Sequence, residues 1–482
     1  MHECFRLRKI PDNANRTFIV LIPKVKSAAN FNKFRPISLC NFSYKIVAKI
    51  ITLRLSGLLE RIISPNQGAF VKGWWIAENT VIAQELMHKI NKHKGKKGLM
   101  MLKMDMKKAY DRMEWSFIDR ALMAWGFAEP FRDLIGSCVN SVTFSLLLNG
   151  NITKTFTPGR GLRQGDPLSP YLFIFCSEFL SRLLHREERD RHINGVKISC
   201  NAPAVTHLLY ADDLLLASRA SDRKSRKEIQ SVTGLKCMKK GAIYLGNALI
   251  FNKSKVKEFG RLKERVQVRL DSWKHQLLSK AGKATLIKSV IQAIPIYTMA
   301  TYKIPAAVCH DLDTLVRRFW WGAKPSNAHY LALKAWKDIC KPKSMGGLGF
   351  RLFKDMNLAM LSKLGWKLAS GEKSLLTDLL VAKYLKGKSF FQYKAKKGDS
   401  FVWKGILSSR SLLAKNSCFK IGDGCHINFW EDPWILDLPH RIPTPKEGVN
   451  VSNWKVVADF KKSGFNEWDL EALLNTCEPA TV

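Results

Sequence analysis

The sequence predicts an α+β fold, and two acidic strand-like segments together with a set of amphipathic helical stretches carry that expectation. In the first segment, His207-Leu208-Leu209-Tyr210 and Leu214-Leu215-Leu216-Ala217 flank Ala211-Asp212-Asp213. Apolar runs of this length, bounded by polar residues, read as buried strands, here joined in a tight hairpin with carboxylates at its tip. In the second, Leu99-Met100-Met101-Leu102 leads through Lys103 and Met104 into Asp105. The two segments read as neighbouring strands that deliver carboxylates to one place. Tyr44 to Ile63 carries Ile46, Val47, Ile50, Ile51, Leu55, Leu58 and Leu59 on one broad face, with Lys45, Lys49 and Arg54 off it, the pattern of a packed amphipathic helix.

A core has no use for adjacent aspartates, because an unpaired carboxylate taken from water is costly unless a cation or hydrogen bonds compensate. A metal supplies that compensation. An oxygen-rich set suits Mg²⁺, which keeps several waters, takes one or two carboxylates and lets substrate phosphates complete its octahedron. Two metals held this way activate an attacking oxygen and stabilise a leaving one. The alternative for an isolated Asp-Asp pair is an ordinary acidic turn, and only its context separates the two.

With 482 residues the chain is long enough for two or three domains. Its 46% hydrophobic and 25% charged residues are those of an ordinary globular protein. The charge balance is not ordinary: 79 Lys and Arg against 40 Asp and Glu give a net charge of +39, spread along most of the chain. Such a spread points to an extended polyanion, most simply nucleic acid held through its phosphates. No long basic amphipathic helix favours a membrane surface, and no apolar run is long enough to span a bilayer. With no charged-then-apolar leader at Met1, an intracellular location is expected. The 11 cysteines are scattered without a Cys-x-x-Cys pair, so neither a disulfide framework nor a zinc site is expected.

In chain order, Thr17 to Pro23 is β-rich and apolar and runs into Lys24-Val25-Lys26, and a polar loop then leads to Arg35-Pro36-Ile37-Ser38-Leu39. Lys24 and Arg35 bracket an expected hairpin at a sheet edge. Ser64-Pro65-Asn66 stops the first helix, Gln67 to Trp74 reads as a glycine-bounded loop, and Ala77 to Asn91 resumes helical periodicity. Lys92 to Lys97 reads as a solvated basic turn. After Asp105 come Tyr110 and Asp111-Arg112, where Asp111 reads as a helix-entry carboxylate more readily than as a third ligand. A helix is expected from Ser116 to about Gly126, and a strand from Val142 to Asn149 with Asn149-Gly150 as its turn. Pro158 to Pro170 is dense in glycine and proline and enters a helix, Tyr171 to Leu184. Its glycines let backbone approach a substrate closely, and Gln164 at its rim can hydrogen-bond a nucleotide.

The order of these segments resembles that of a reverse transcriptase. Leu21-Ile22-Pro23-Lys24, Arg35 to Leu39, Asp105 to Asp111, Gly161 to Pro170 and Tyr210-Ala211-Asp212-Asp213 look like its successive motifs, most like those of plant LINE-type (non-LTR) retrotransposons. The resemblance implies a right-hand polymerase with fingers (1–98), an α+β palm (99–250), a helical thumb (251–330) and a C-terminal segment (331–482). It further implies that Asp105, Asp212 and Asp213 bind two Mg²⁺ ions, so that a DNA primer 3′-hydroxyl on an RNA template attacks the α-phosphate of a dNTP. Tyr110 matches the aromatic gate against a ribose 2′-hydroxyl. Gln164 and Gly165 match the pair against nucleotide and template, and Lys24 and Arg35 match the fingers cations at the triphosphate. Tyr244-Leu245-Gly246 resembles the turn that holds the primer end. Lys255 to Trp321, with Arg261, Lys263, Arg265, Arg269, Lys274, Lys280, Lys283 and Lys288, resembles the thumb, its cations tracking a duplex or simply solvating a helix face. A nuclear location follows from the family's life cycle. Phe319 to Gly322, Gly346 to Phe350 and Phe429 to Trp434 resemble the segment after the thumb, with no chemistry assigned and burial in a small core expected.

Three departures from the family bear on activity. Ser221 to Lys240 is a short, polar, lysine-rich connection where the family has a palm helix and a strand carrying a lysine. Trp74 stands where the subgroup usually has arginine. The endonuclease and the zinc-knuckle or RNase H modules of complete elements are not recognised, so the chain reads as a fragment. A non-catalytic nucleic-acid-binding remnant is therefore the competing function. A group II intron maturase-like protein shares the palm, but the flanking segments favour the LINE resemblance.

Overall fold

The computed structural model describes residues 2–481 except 26, 96–97, 221–222, 236, 240, 252–253, 274–275, 323–329, 439–440, 463–466 and 480. Lys274 of the basic thumb-like run and the end of the Lys92 to Lys97 turn therefore lie outside the described residues. The chain forms two compact units. The first comprises Met1–Asn79, Ile90–Lys197 and Ala204–Lys236; the second comprises Thr80–Lys89, Ile198–Pro203 and Cys237–Val482.

In the first unit, β1 (Arg16–Pro23) and β2 (Phe34–Cys40) form the expected antiparallel hairpin, with Ile22 opposite Arg35. β3 (Gly98–Asp105) belongs to a different sheet. β4 (Thr143–Leu148) pairs parallel with β1 and turns through Asn149 (φ 50°) and Gly150 (φ 83°) into β5 (Asn151–Ile152). Positive φ at both positions is what a two-residue hairpin turn needs, and Asn-Gly supplies it at least cost. β6 (Val196–Lys197) and β7 (Ala204–Val205) pair with each other. β8 (His207–Tyr210) and β9 (Asp213–Ala220) complete a three-stranded sheet of order β3-β9-β8.

Helices fill the core beside these sheets. Phe42–Ile62 starts where Asn41 accepts the Ser43 N–H at 3.0 Å, and it buries Val47, Ile51, Leu55 and Leu59 in one core that also holds Leu134, Ile135, Leu172 and Phe175. Each such side chain contributes about 1.5–3 kcal/mol. Leu58, read from sequence as part of that face, is instead exposed, because it falls one residue outside the i, i+4 stripe. Glu129–Asn140 is a helix that the sequence reading left unassigned, although Pro130 near its start and Leu134, Ile135, Cys138 and Val139 on one face carry the signal. The polar connection expected over Ser221 to Lys240 contains a helix, Arg223–Thr233. None of its side chains from Glu228 onward is buried, and Val232 is 86% exposed; with Ile229 and Val232 as its only apolar residues, the segment reads as a polar connection.

A buried polar cluster anchors the glycine-rich loop that precedes the Ser169–Arg189 helix. Arg163 donates through Nη1 to Asn15 Oδ1 (2.6 Å) and Thr17 Oγ1 (3.2 Å), and through Nη2 to the Cys138 carbonyl (3.0 Å). It lies 3.3 Å from Asp166 Oδ2 and stacks over the Tyr44 ring at 4.0 Å. Asp166 also accepts from Tyr44 Oη, Ser169 Oγ and the Leu168 N–H. Burial and the Asp166 charge push the Tyr44 phenol well up, so it stays a donor.

The second unit is mainly helical. Lys255–Asp271 buries Phe259, Leu262, Val266 and Leu270 at helical spacing. Ala306–Trp321 and Phe353–Ala369 follow, with β10 (Ile243–Tyr244) and β11 (Asn247–Ala248) preceding them as a hairpin turning through Leu245 and Gly246. Buried Glu85 accepts from Lys383 Nζ at 2.5 Å, Tyr384 Oη at 2.8 Å and Ser400 Oγ. Near the C-terminus Phe429 stacks on Phe460 at 3.9 Å, and Trp430, Trp434 and Trp454 pack around them, the small tryptophan core expected from the sequence. No helix among the described residues is long and apolar enough to cross a membrane.

Two predictions follow from these burials. Arg163→Met leaves Asp166 buried without its cation, and the cost is expected to be about 3–5 kcal/mol in denaturant unfolding of the first unit. In the second unit, burial pushes the Asp313 carboxyl up to about 6, against an opposing hydrogen bond from the Phe353 N–H. A folded pKa above the unfolded one means that stability is lost as pH rises from about 4 through 6. Asp313→Asn keeps the acceptor for Phe353, so its melting temperature should exceed that of wild type at pH 7 and converge with it near pH 4.

Candidate active site

The central β9 strand lies between β3 and β8, and its first residue faces acidic or aromatic partners on both sides. Asp213 is the register partner of Asp105 on β3 and of Tyr210 on β8. Directly opposed residues in an antiparallel pair have Cα atoms about 4.5–5.5 Å apart. Ala211 and Asp212 form the two-residue turn, and the Met106 N–H donates to the Asp212 carbonyl at 3.1 Å. The leucines of the hairpin explain why it forms here: Leu208, Leu209, Leu214 and Leu215 are all buried, as consecutive residues are when both faces of a strand are covered. His207, at the foot of β8, is buried between Ser181 Oγ (2.7 Å) and Thr206 Oγ1 (2.8 Å), and burial with the neighbouring His185 pushes its pKa down to about 3. It is a neutral structural group.

The electrostatics register the crowding. Burial pushes the Asp212 carboxyl up, the charges of Asp105 and Asp213 push it further, and Arg35 opposes them. Lys103, two residues before Asp105 and so on its face of the strand, lies 3.6 Å from Asp213 Oδ1. The sequence reading overlooked Lys103, although the period of two is enough to find it. The three carboxylates do not bring their oxygens within 4.8 Å of one another. Among the described residues only Glu187, Asp190 and His192 meet that measure, at the exposed end of the Ser169–Arg189 helix. His192 already lies 2.8 Å from Glu187 there, and Arg186 lies 3.7 Å from Asp190. An all-carboxylate donor set whose charge Lys103 and Arg35 offset only in part fits a hard divalent cation.

Tyr110 stacks on Phe173 with ring centroids 5.0 Å apart, and burial followed by the Asp212 charge pushes its phenol up. Its carbonyl accepts the Leu162 N–H at 2.8 Å, while the Gly161 N–H donates to Met113 O at 2.8 Å. The glycine-rich loop thus lies on the segment that follows Asp105. Gly161 has φ +98°, and a Cβ there would meet the Asp111 carbonyl at 3.1 Å. Asp111 itself is exposed. The Gln164 carbonyl accepts the Ser38 N–H at 2.7 Å, and at Gly165 (φ +107°) a Cβ would meet Ser38 O at 2.9 Å. A 210 Å³ cavity between β1, β2, β4 and this loop is lined by Ser38, Phe144, Phe156 and Gln164 among others.

Asp105, Asp212, Asp213, Tyr110 and Arg35 are therefore brought into one electrostatic neighbourhood, with Gln164 and Gly165 clamped to β2 a few residues from Arg35. Lys24 stands apart at the loop end of the β1–β2 hairpin, just beyond the Pro23–Phe34 pair. Its N–H donates to Lys33 O at 2.8 Å and its Nζ reaches Asn32 O at 3.5 Å. Trp74 packs against the helical core of the first unit.

Residues 22–281 match the family described as reverse transcriptase (RNA-dependent DNA polymerase). The chain is 36% identical over 184 residues to a putative ribonuclease H protein of Arabidopsis thaliana, covering 38% of this chain and 30% of that one. It is 30% identical over 207 residues to the retrovirus-related Pol polyprotein from type-2 retrotransposable element R2DM of Drosophila melanogaster, covering 43% and 18%. The chain thus spans less than a third of the length of these relatives. A solved telomerase from Candida tropicalis in complex with a fragment of telomeric RNA aligns with a TM-score of 0.38 at 12% identity, covering 78% of this chain and 65% of that one. The family match takes in β2, β3, the glycine-rich loop and the whole β8–β9 hairpin, more than half of the chain, and the protein belongs to the reverse transcriptase family.

Proposed function

We propose that this chain is the polymerase portion of a non-LTR retroelement protein, of the plant LINE type, that copies an RNA template into DNA by extending a primer 3′-hydroxyl with dNTPs. The observation that carries this reading is the pairing of Asp105 with Asp213, with Asp212 in the adjoining turn, inside the segment that the family spans. The metal is Mg²⁺, held by Asp105, Asp212 and Asp213, which offer oxygen alone. When bound, two such ions supply charge neutralisation at the attacking and leaving oxygens.

The chain's own residues do the rest. Arg35, whose charge reaches Asp212, and Lys24 neutralise the triphosphate. Tyr110, fixed by its stack on Phe173, bars a ribose 2′-hydroxyl. Gly165 presents backbone without a Cβ, and Gln164 beside it contacts nucleotide and template. The net charge of +39 holds template and primer through their phosphates. Fingers, palm, thumb and C-terminal segment divide at about residues 98, 250 and 330 in this reading. The competing reading, a nucleic-acid-binding remnant, is favoured by the spread of the three carboxylates and the pull of Lys103 on Asp213.

Mg²⁺-dependent extension of a DNA primer on an RNA template tests the proposal. Asp212→Asn should reduce it by at least about 100-fold. Loss of extension in wild type, with salt-sensitive primer–template binding retained, returns the remnant reading. The same variant has a stability signature in chelator. Because the fold raises the Asp212 pKa, the wild-type carboxylate costs stability once pH rises through that raised value. Asp212→Asn should therefore melt above wild type at neutral pH and equal to it at pH below the ordinary aspartate range, and Mg²⁺ should raise the melting temperature of wild type alone. Tyr110→Val should lower discrimination against ribonucleotides by about 100-fold while leaving the KM for dNTP within a few-fold, measured in single-nucleotide incorporation.

A further inference from the structure

The outer edge of β8 is not open. Asn66, Gln67 and Gly68 run alongside it, with the Leu209 N–H donating to Asn66 O and the Gly68 N–H donating to Leu209 O, both at 2.8 Å. The Asn66 and Asn79 side-chain amides donate to the carbonyls of His207 (2.8 Å) and Leu209 (2.9 Å). A Cβ at Gly68 would lie 2.2 Å from Asn79 Oδ1 and would displace the amide that donates to Leu209. This segment carries Gln67 to the end of the strand, where the side chain, 1% exposed, meets the turn.

Gln67 Oε1 accepts the Ala211 N–H at 3.1 Å and the Ala69 N–H at 3.1 Å, and Nε2 donates to Ser177 Oγ at 3.4 Å. Two backbone donors converge on one oxygen, which fixes the amide orientation. Ala211 needs such a partner. It is 8% exposed and has φ 52°, a left-handed conformation that alanine rarely adopts, and its N–H has no strand to pair with at a two-residue turn. Without the Gln67 oxygen a buried donor would be orphaned in a strained residue, and both costs fall when the turn leaves this conformation. Asp212 is the next residue.

We propose that Gln67 is a positioning residue that holds the Ala211-Asp212 turn in its left-handed conformation and thereby sets the affinity of the Asp105, Asp212, Asp213 site for a divalent cation. The catalytic consequence rests on the polymerase reading; the metal affinity does not. Orienting groups behind metal ligands typically change affinity or activity by about 10–100-fold.

Mn²⁺ binding followed by electron paramagnetic resonance on the full chain measures this, with Asp212→Asn defining the signal that belongs to the site. Gln67→Met, close in shape and without an acceptor, should weaken that binding about tenfold, and slow single-turnover extension by a similar factor while primer–template affinity stays unchanged. Ala211→Gly, which removes the penalty on a positive φ, should recover part of the loss in the double variant. If Gln67→Met does not fold, Gln67→Asn, one methylene shorter, is held to the same outcomes. Unchanged Mn²⁺ affinity in the Gln67 variants, whatever happens to the melting temperature, overturns the proposal, as does a wild type with no Asp212-dependent Mn²⁺ binding. Weakened binding in a protein whose wild type extends no primer would leave Gln67 in this role and refute the polymerase instead.

Discussion

Like charges repel, and the β3-β9-β8 sheet sets Asp105 against Asp213 with Asp212 one residue away. Much of the first unit can be understood as the structure that makes this tolerable. Lys103 shares the strand face and draws on Asp213, while Arg35 reaches Asp212 from the neighbouring sheet. The site stays part-exposed, so the charges keep some of their hydration instead of bearing the full cost of burial. Beneath it the leucines of β8 and β9 and a neutral His207 leave no second charge to compete.

The glycine-rich loop shows how polar burial becomes precision. Arg163 and Asp166 are both nearly inaccessible, and their guanidinium and carboxylate groups are engaged by Asn15, Thr17, Tyr44, Cys138, Ser169 and the loop's own backbone. A salt bridge of this kind contributes little net stability against an apolar substitute, but breaking one half is costly. Its effect is to fix where the loop starts and where the Ser169–Arg189 helix begins. Gly161 and Gly165 are then pressed against the Asp111 and Ser38 backbones, at separations that leave no room for a side chain. Gln164 is held to β2 through its backbone carbonyl, which accepts the Ser38 N–H.

The second unit uses the same device for a different end. Glu85 is buried with Lys383, Tyr384 and Ser400 as its donors, and Tyr384 in turn stacks on Trp403 at 4.3 Å. Cations there also lie over aromatic rings: Lys280 is 4.9 Å from the Trp320 ring and Lys288 is 5.7 Å from Phe350. Ammonium groups held over rings let a strongly basic helical body keep cations beside its aromatic residues.

The sequence by itself determined the elements whose side chains alternate or recur at a fixed period. The β1–β2 hairpin, the acidic strands, the Asn149-Gly150 turn and the first long helix follow from local pattern, because period two or 3.6 is imposed by one buried face. It also determined that Asp105 and the Asp212-Asp213 pair belong together, since two apolar runs ending in carboxylates have few ways to share a sheet. Tertiary structure alone decided the contacts between residues far apart in the chain. Gln67 reaching Ala211 spans 144 positions, and Arg163 reaching Asn15 spans 148. Neither Gln nor Arg carries a local sign that its side chain will be buried. The Arg223–Thr233 helix was hidden for the opposite reason: its only apolar residues are Ile229 and Val232, and from Glu228 onward it buries no side chain, so its apolar stripe is too thin to stand out from a polar loop. Periodicity reports burial against a face, while the choice of partner across the core depends on packing that only the folded chain resolves.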